Sequence, residues 1–155
     1  MCSSDLIAVD FSNEMLTAAR TKINSEKVTF IQADINQPWV FANRQFDLIV
    51  FSLVLEHIEN LDPIFKNAAN ILPLGGQIYV GELHPFKQYL GSKARFETEN
   101  DVQILTCFNH NVSDFIQSAF KYGFEILNFN EYFDDDDKEK TPRILTILFK
   151  KIKNE

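Results

Sequence analysis

The chain has 155 residues, 45% of them hydrophobic, which suits one domain spanning residues 1–155 with a real core and leaves no room for two. Its formal net charge is -7 and its pI about 4.9, and an acidic surface argues against nucleic acid as the partner. No apolar run approaches the roughly 20 residues of a membrane-spanning helix. The two cysteines, Cys2 and Cys107, follow no signal-like start and read as free thiols of a cytoplasmic protein.

Leu6 to Asp10 is a short apolar strand ending on an acid. Ser12 is placed to cap a helix from Asn13 to about Asn24, with Glu14 in the first turn and Met15, Leu16, Ala19 and Ile23 at helical spacing. Val28 to Ile31 is the next strand, again leading to an acid, Asp34. Gln37 to Arg44, with Pro38 and the tryptophan, is a loop.

Phe46 to Glu82 organises the rest. A buried strand from Phe46 to Ser52 runs into a polar segment, Leu55 to Glu59. Asp62 as N-cap and Pro63 at the first helical position then start a helix whose buried stripe is Ile64, Phe65, Ala68, Ile71 and Leu72. Pro73, Gly75 and Gly76 turn the chain into a second buried strand, Ile78 to Glu82. Strand, crossover helix and strand make a βαβ unit of a parallel sheet covered on both faces. Ligands of such sheets sit at the carboxyl ends of the strands, which here are Ser52 to His57 and Glu82 to His84.

From His84 to Asn111 the pattern fades, and Pro85, Gly91, Lys93 and Arg95 mark a long loop, with room for one helical turn, of the kind that covers a ligand edge. Ser113 and Asp114 cap a helix carrying Phe115, Ile116, Ala119 and Phe120, which Gly123 ends. Phe124 to Tyr132 and Arg143 to Lys151 are strands joined by a charged loop, Asp134 to Lys140, too short for a crossover, so they pair antiparallel.

An acid closing the first strand (Asp10), an acid after the second (Asp34), the run FDLIVFSLVLEHI, the LPLGG turn, the helix VSDFIQSAFKYGFEI and a final antiparallel strand together resemble the class I S-adenosylmethionine-dependent methyltransferases, in their small-molecule branch. The resemblance covers nearly all of the chain. It implies an α/β fold, a Rossmann-like doubly wound sheet, mostly parallel, with an antiparallel C-terminal strand. It also implies S-adenosyl-L-methionine as cofactor and a small molecule as methyl acceptor.

Carried over residue by residue, the resemblance gives Asp10 the two ribose hydroxyls, a task that suits an acceptor-only carboxylate. Phe11 would pack on the adenine. Asp34 would take the adenine amino group, with the Ile35 backbone N–H beside it. Ser52 and Leu53 would line the methionine end. A base for a protic acceptor would come from His84, His57 or Glu82, with His84 the first choice. Three histidines without a Cys or Asp at ligand spacing make no metal site. Ser52-Leu53-Val54-Leu55 lacks the Asn/Asp-Pro-Pro-Tyr signature of enzymes that methylate amino groups of nucleobases or glutamine.

The family's first strand and Gly-rich loop should precede Asp10, where this chain has only Met1 to Asp5. A truncated chain, a second gene supplying the missing part, and a form that has lost the cofactor site are the three explanations, with the first favoured. A sheet without its centre exposes strand edges, and a second copy or the missing N-terminal segment would complete it. Two other functions stay open: a cofactor-free methyltransferase-like binding or regulatory module, and a fragment of a nicotinamide-dependent oxidoreductase. The latter predicts parallel strands at the carboxyl end, against the Phe124 to Lys151 hairpin. Lys87, Lys93 and Arg95 could greet an anionic substrate group, although a solvated loop explains them as well.

Overall fold

The computed structural model describes residues 5–40, 45–91, 95–98, 101–104 and 106–153, with backbone alone for 95–98 and 101–104. The chain forms two compact units, one within Met1–Asn43 and one within Arg44–Glu155.

In the first unit, β1 (Leu6–Asp10) is followed by α1 (Asn13–Lys22) and β2 (Val28–Gln32). The strands pair parallel, from Leu6 opposite Val28 to Asp10 opposite Gln32. Ser12 caps α1 as its sequence position demands, its Oγ accepting the Met15 N–H at 3.2 Å. Of the expected apolar stripe only Leu16 is buried, and Met15 and Ile23 are half exposed. A two-stranded sheet is too narrow to cover a wider stripe.

The second unit holds β3 (Leu48–Ser52), a 3₁₀ turn (Leu55–His57), α2 (Asp62–Ile71), β4 (Gln77–Leu83) and α3 (Pro85–Tyr89). A hairpin follows, β5 (Arg95–Thr98) with β6 (Asp101–Ile104), and then α4 (Val112–Lys121), β7 (Phe124–Tyr132) and β8 (Ile144–Lys151). The four-stranded sheet runs β3-β4-β8-β7, with β3 and β4 parallel and β8 antiparallel to both of its neighbours. Both carboxyl ends of the βαβ unit therefore lie at one edge of this sheet, as its pattern requires.

The core forms where α2 meets the sheet. Ile64, Phe65 and Ala68 of α2 are fully buried, with Ile78 and Val80 of β4 and Leu145, Ile147 and Phe149 of β8. Phe65 and Phe149 meet edge to face at 5.9 Å between ring centroids. Lys151, itself buried, closes the far end of α2, its ammonium donating to the Ala69 and Leu72 carbonyls at 2.7 and 2.9 Å.

Further local expectations differ from the structure, among them the burial of β3, where Leu48 and Val50 are exposed. Asp62 is the first residue of α2 rather than its N-cap, which is Leu61. The Asp62 carboxylate instead accepts the Ser118 hydroxyl at 3.1 Å and the Lys121 ammonium, tying α2 to α4. Lys121 holds that carboxyl below its ordinary range. The N-cap of α4 is Asn111, with Asp114 reaching back to accept its N–H at 2.7 Å, so the cap precedes Ser113. The stretch after His84 carries the one helical turn, α3, and in addition the β5–β6 hairpin, whose four-residue strands are too short for their pattern to announce them. Among the described residues no helix is long and apolar enough to cross a membrane.

Candidate active site

At the carboxyl edge of the first unit, parallel pairing brings the two strand-end acids into neighbouring positions. The Ala33 N–H donates to the Asp10 carbonyl at 3.1 Å, so the chain leaving β2 toward Asp34 stays beside Asp10. Asp10 uses Oδ1 to accept the Ser12 N–H at 2.8 Å. Its Oδ2 has no partner among the described residues and remains an open acceptor. Phe11 follows with 75% of its surface exposed, an unusual position for a phenylalanine. Asp34 folds its Oδ1 onto the Asn36 N–H at 2.9 Å and the Asn36 amide at 3.0 Å. The Ile35 carbonyl accepts the Trp39 indole N–H at 2.9 Å. Its backbone N–H has no acceptor among the described residues. Acceptor, exposed ring and free N–H stand on consecutive turns at one edge.

At the carboxyl edge of the second unit, β3 ends at Ser52 and the chain bends sharply. Leu53 has φ 52°, a left-handed conformation that costs a leucine about 1–2 kcal/mol. Its N–H is held to the Gly81 carbonyl at 2.9 Å. Glu82, on β4, enforces the bend from below. Its Oε1 accepts the N–H groups of Val54 at 3.1 Å and Leu55 at 3.0 Å. Glu82 is 1% exposed, and burial pushes its carboxyl up to about 7 against the opposing pull of those N–H groups, with nearby Glu56 adding to the rise. One oxygen of each of these two buried acids, Oε2, has no partner among the described residues.

The turn that Glu82 supports carries His57. The segment from Thr106 to His110 runs along this turn and is fastened at three points. Phe108 N–H donates to the Glu56 carbonyl at 2.7 Å, and His110 Nε2 donates to the Ile58 carbonyl at 2.7 Å. The third point is His57 itself, whose Nδ1 lies 3.0 Å from the Thr106 carbonyl. A carbonyl only accepts, so Nδ1 carries the hydrogen. His110 is thus a buried clamp, with its ring 5.6 Å from that of Phe115.

His84 is 1% exposed, and both its ring nitrogens are engaged. Its Nδ1 accepts the Phe86 N–H at 3.2 Å as the N-cap of α3, and its Nε2 lies 2.9 Å from the Glu131 carboxylate. Of the basic residues after β4, Lys87 is paired with Asp134 at 3.6 Å, Lys93 lies outside the described residues, and the Arg95 side chain is not described. Two contributors escaped the sequence. Thr106 acts through its backbone carbonyl, which no residue type reveals. Cys107, with its Sγ 3.9 Å from His57 Nδ1, had only its position after a featureless stretch to mark it.

Residues 1–80, just over half of the chain, match the family described as Methyltransferase domain. No curated protein matches in sequence. Solved structures share the fold. A candidate S-adenosylmethionine-dependent methyltransferase from Listeria monocytogenes superposes with a TM-score of 0.75 at 21% identity, over 97% of this chain and 81% of its own. An S-adenosylmethionine-dependent methyltransferase from Clostridium acetobutylicum gives 0.74 at 20% identity, over 95% and 75%. The N-methyltransferase NodS from Bradyrhizobium japonicum, solved with S-adenosyl-L-homocysteine, gives 0.67 at 15% identity, over 95% and 66%.

Proposed function

The chain belongs to the methyltransferase domain family, and from that premise we propose that it binds S-adenosyl-L-methionine and passes the methyl group to a small-molecule acceptor. The observation that carries this reading is the edge of the first unit. Asp10 has an open carboxylate oxygen beside a phenylalanine left in solvent, which fits a ribose and an adenine ring. Asp34 and the free Ile35 N–H suit the adenine amino group and a ring nitrogen. In the second unit, Ser52 and the strained Leu53 are assigned to the methionine end, because left-handed backbone at a non-glycine residue persists where a site needs it. Structural relatives crystallised with S-adenosyl-L-homocysteine support the cofactor.

When bound, the cofactor supplies an electrophilic methyl group on a cationic sulfur, a leaving group that needs little help. The residues of the chain hold the reactants in line and manage the acceptor's proton. The acidic charge disfavours nucleic acid as acceptor, and the resemblance to the small-molecule branch supports a small molecule instead. Location in the cytoplasm is part of the same proposal, resting on a composition with two cysteines in 155 residues.

Calorimetric titration with S-adenosyl-L-homocysteine tests the reading, with Asp10→Ala as the comparison. Micromolar binding weakened at least about tenfold in the variant supports it, since a hydrogen bond to a charged group is worth roughly 1.5–3 kcal/mol. Absence of binding by the unaltered chain would sink it and favour the cofactor-free binding module.

A further inference from the structure

We infer that His57, rather than His84 or Glu82, takes the proton of the methyl acceptor, and that the acceptor is therefore protic, a hydroxyl or amine that loses a proton on methylation. The inference rests on the methyltransferase reading above. Its ground is the use of each nitrogen and oxygen at the edge of the second unit.

A base needs a lone pair that nothing else occupies. Thr106 pins the hydrogen of His57 to Nδ1, which leaves the lone pair on Nε2 in the neutral ring. That nitrogen has no partner among the described residues. The residue is partly exposed and sits five residues past the end of β3, where ligands of parallel sheets bind. His84 fails on each count. Its Nδ1 lone pair holds the Phe86 N–H, its Nε2 hydrogen faces Glu131, and it is buried. Glu82 fails on access, being 1% exposed with Oε1 given to two N–H groups.

Glu82 is instead a positioning residue. By holding Val54 and Leu55 it sets the turn on which His57 stands. In the transfer, the acceptor atom bonds to the methyl carbon as the electron pair of the carbon–sulfur bond returns to sulfur. The acceptor's proton goes to His57 Nε2. The resulting imidazolium keeps its Nδ1–H on the Thr106 carbonyl, so no rearrangement is needed to stabilise it.

The test measures transfer of labelled methyl from S-adenosylmethionine to a panel of phenols, alcohols and primary or secondary amines, with carboxylates and tertiary amines as controls that give up no proton on methylation. Unaltered chain, His57→Gln and His84→Gln are compared, and S-adenosylhomocysteine affinity is measured on each by calorimetry. Glutamine at position 57 retains an N–H for Thr106. The expected result is transfer to a protic acceptor that falls at least about a hundredfold in His57→Gln, the usual contribution of a general base. Cofactor affinity should be unchanged in that variant, and His84→Gln should keep its turnover if folded. Undiminished transfer by His57→Gln overturns the inference. So does transfer confined to tertiary amines, or none to any protic member by a chain that binds the cofactor product.

Diethyl pyrocarbonate mapping separates this from a failure of the methyltransferase reading itself, because it needs neither cofactor nor acceptor. The reagent takes an accessible imidazole lone pair, so His57 should be labelled before His84 and His110. Equal or later labelling of His57 overturns the assignment whatever the cofactor does.

Discussion

The carboxylate of Glu82 and the backbone N–H of Leu55 meet at 3.0 Å, across 27 residues of chain, and the same oxygen holds Val54 at 3.1 Å. Through this contact a buried acid on β4 shapes the turn that follows β3. The protonation of this acid also links the unit to pH. Its folded pKa of about 7 lies above the ordinary 4.5, so folding favours the protonated form. Its full stabilisation is present below pH 4.5 and is lost as pH rises through 7.

Glu82→Gln keeps an oxygen for both N–H groups and removes the titration. The variant is expected to match the unaltered chain near pH 4 and to exceed it by up to about 3 kcal/mol at pH 8, from the shift at 1.36 kcal/mol per unit. Urea unfolding at a series of pH values reads the difference. A constant gap across that range would show that Glu82 does not carry the linkage.

Leu53 concentrates backbone strain where the methionine end of the cofactor is assigned. Its side chain is 52% exposed, so little packing is at stake. Leu53→Gly should leave stability within about 1 kcal/mol of the unaltered chain or raise it, as relief of the left-handed strain offsets the extra freedom of glycine in the unfolded state. Leu53→Val, with a β-branched side chain less tolerant of this conformation, should lower it by about 1–2 kcal/mol. Equal effects of the two substitutions in urea unfolding would contradict the strained geometry.

Lys151 is 7% exposed and its ammonium serves two carbonyls at the end of α2. Lys151→Met preserves the aliphatic stem and leaves the Ala69 and Leu72 carbonyls without that donor. The expected loss is about 2–3 kcal/mol, the range for hydrogen bonds to a charged group. Lys66→Met, on the exposed side of the same helix, should change stability by no more than about 0.5 kcal/mol. Thermal or urea melts of the two variants side by side make the comparison.

Much of the fold was legible because its signals are local. The stripe of Ile64, Phe65 and Ala68 repeats at helical period, and these residues are buried together. The short polar link between β7 and β8 left antiparallel pairing as the only option, and they pair so. Asp10 and Asp34 closed adjacent strands on paper and stand beside each other in the first unit. Asp62 was misread for the opposite reason. Next to Pro63 it has every local mark of a cap, but Ser118 and Lys121, 56 and 59 residues on, draw its carboxylate away.

Outside the stretch after His84, the amino-acid sequence by itself determined the elements, their order, and which residues end up at strand termini, because periodicity, caps and breakers act over a few residues. The tertiary structure decided which polar atoms at those termini remain available. His57 and His84 follow similar strand ends, and nothing nearby in sequence separates them. What separates them are partners 49 and 47 residues away: a carbonyl that fixes a hydrogen on one nitrogen of His57 and leaves the other open, and a carboxylate that completes the engagement of His84. A hydrogen-bonding group has a set number of donor and acceptor positions, and only the folded chain shows which of them are filled.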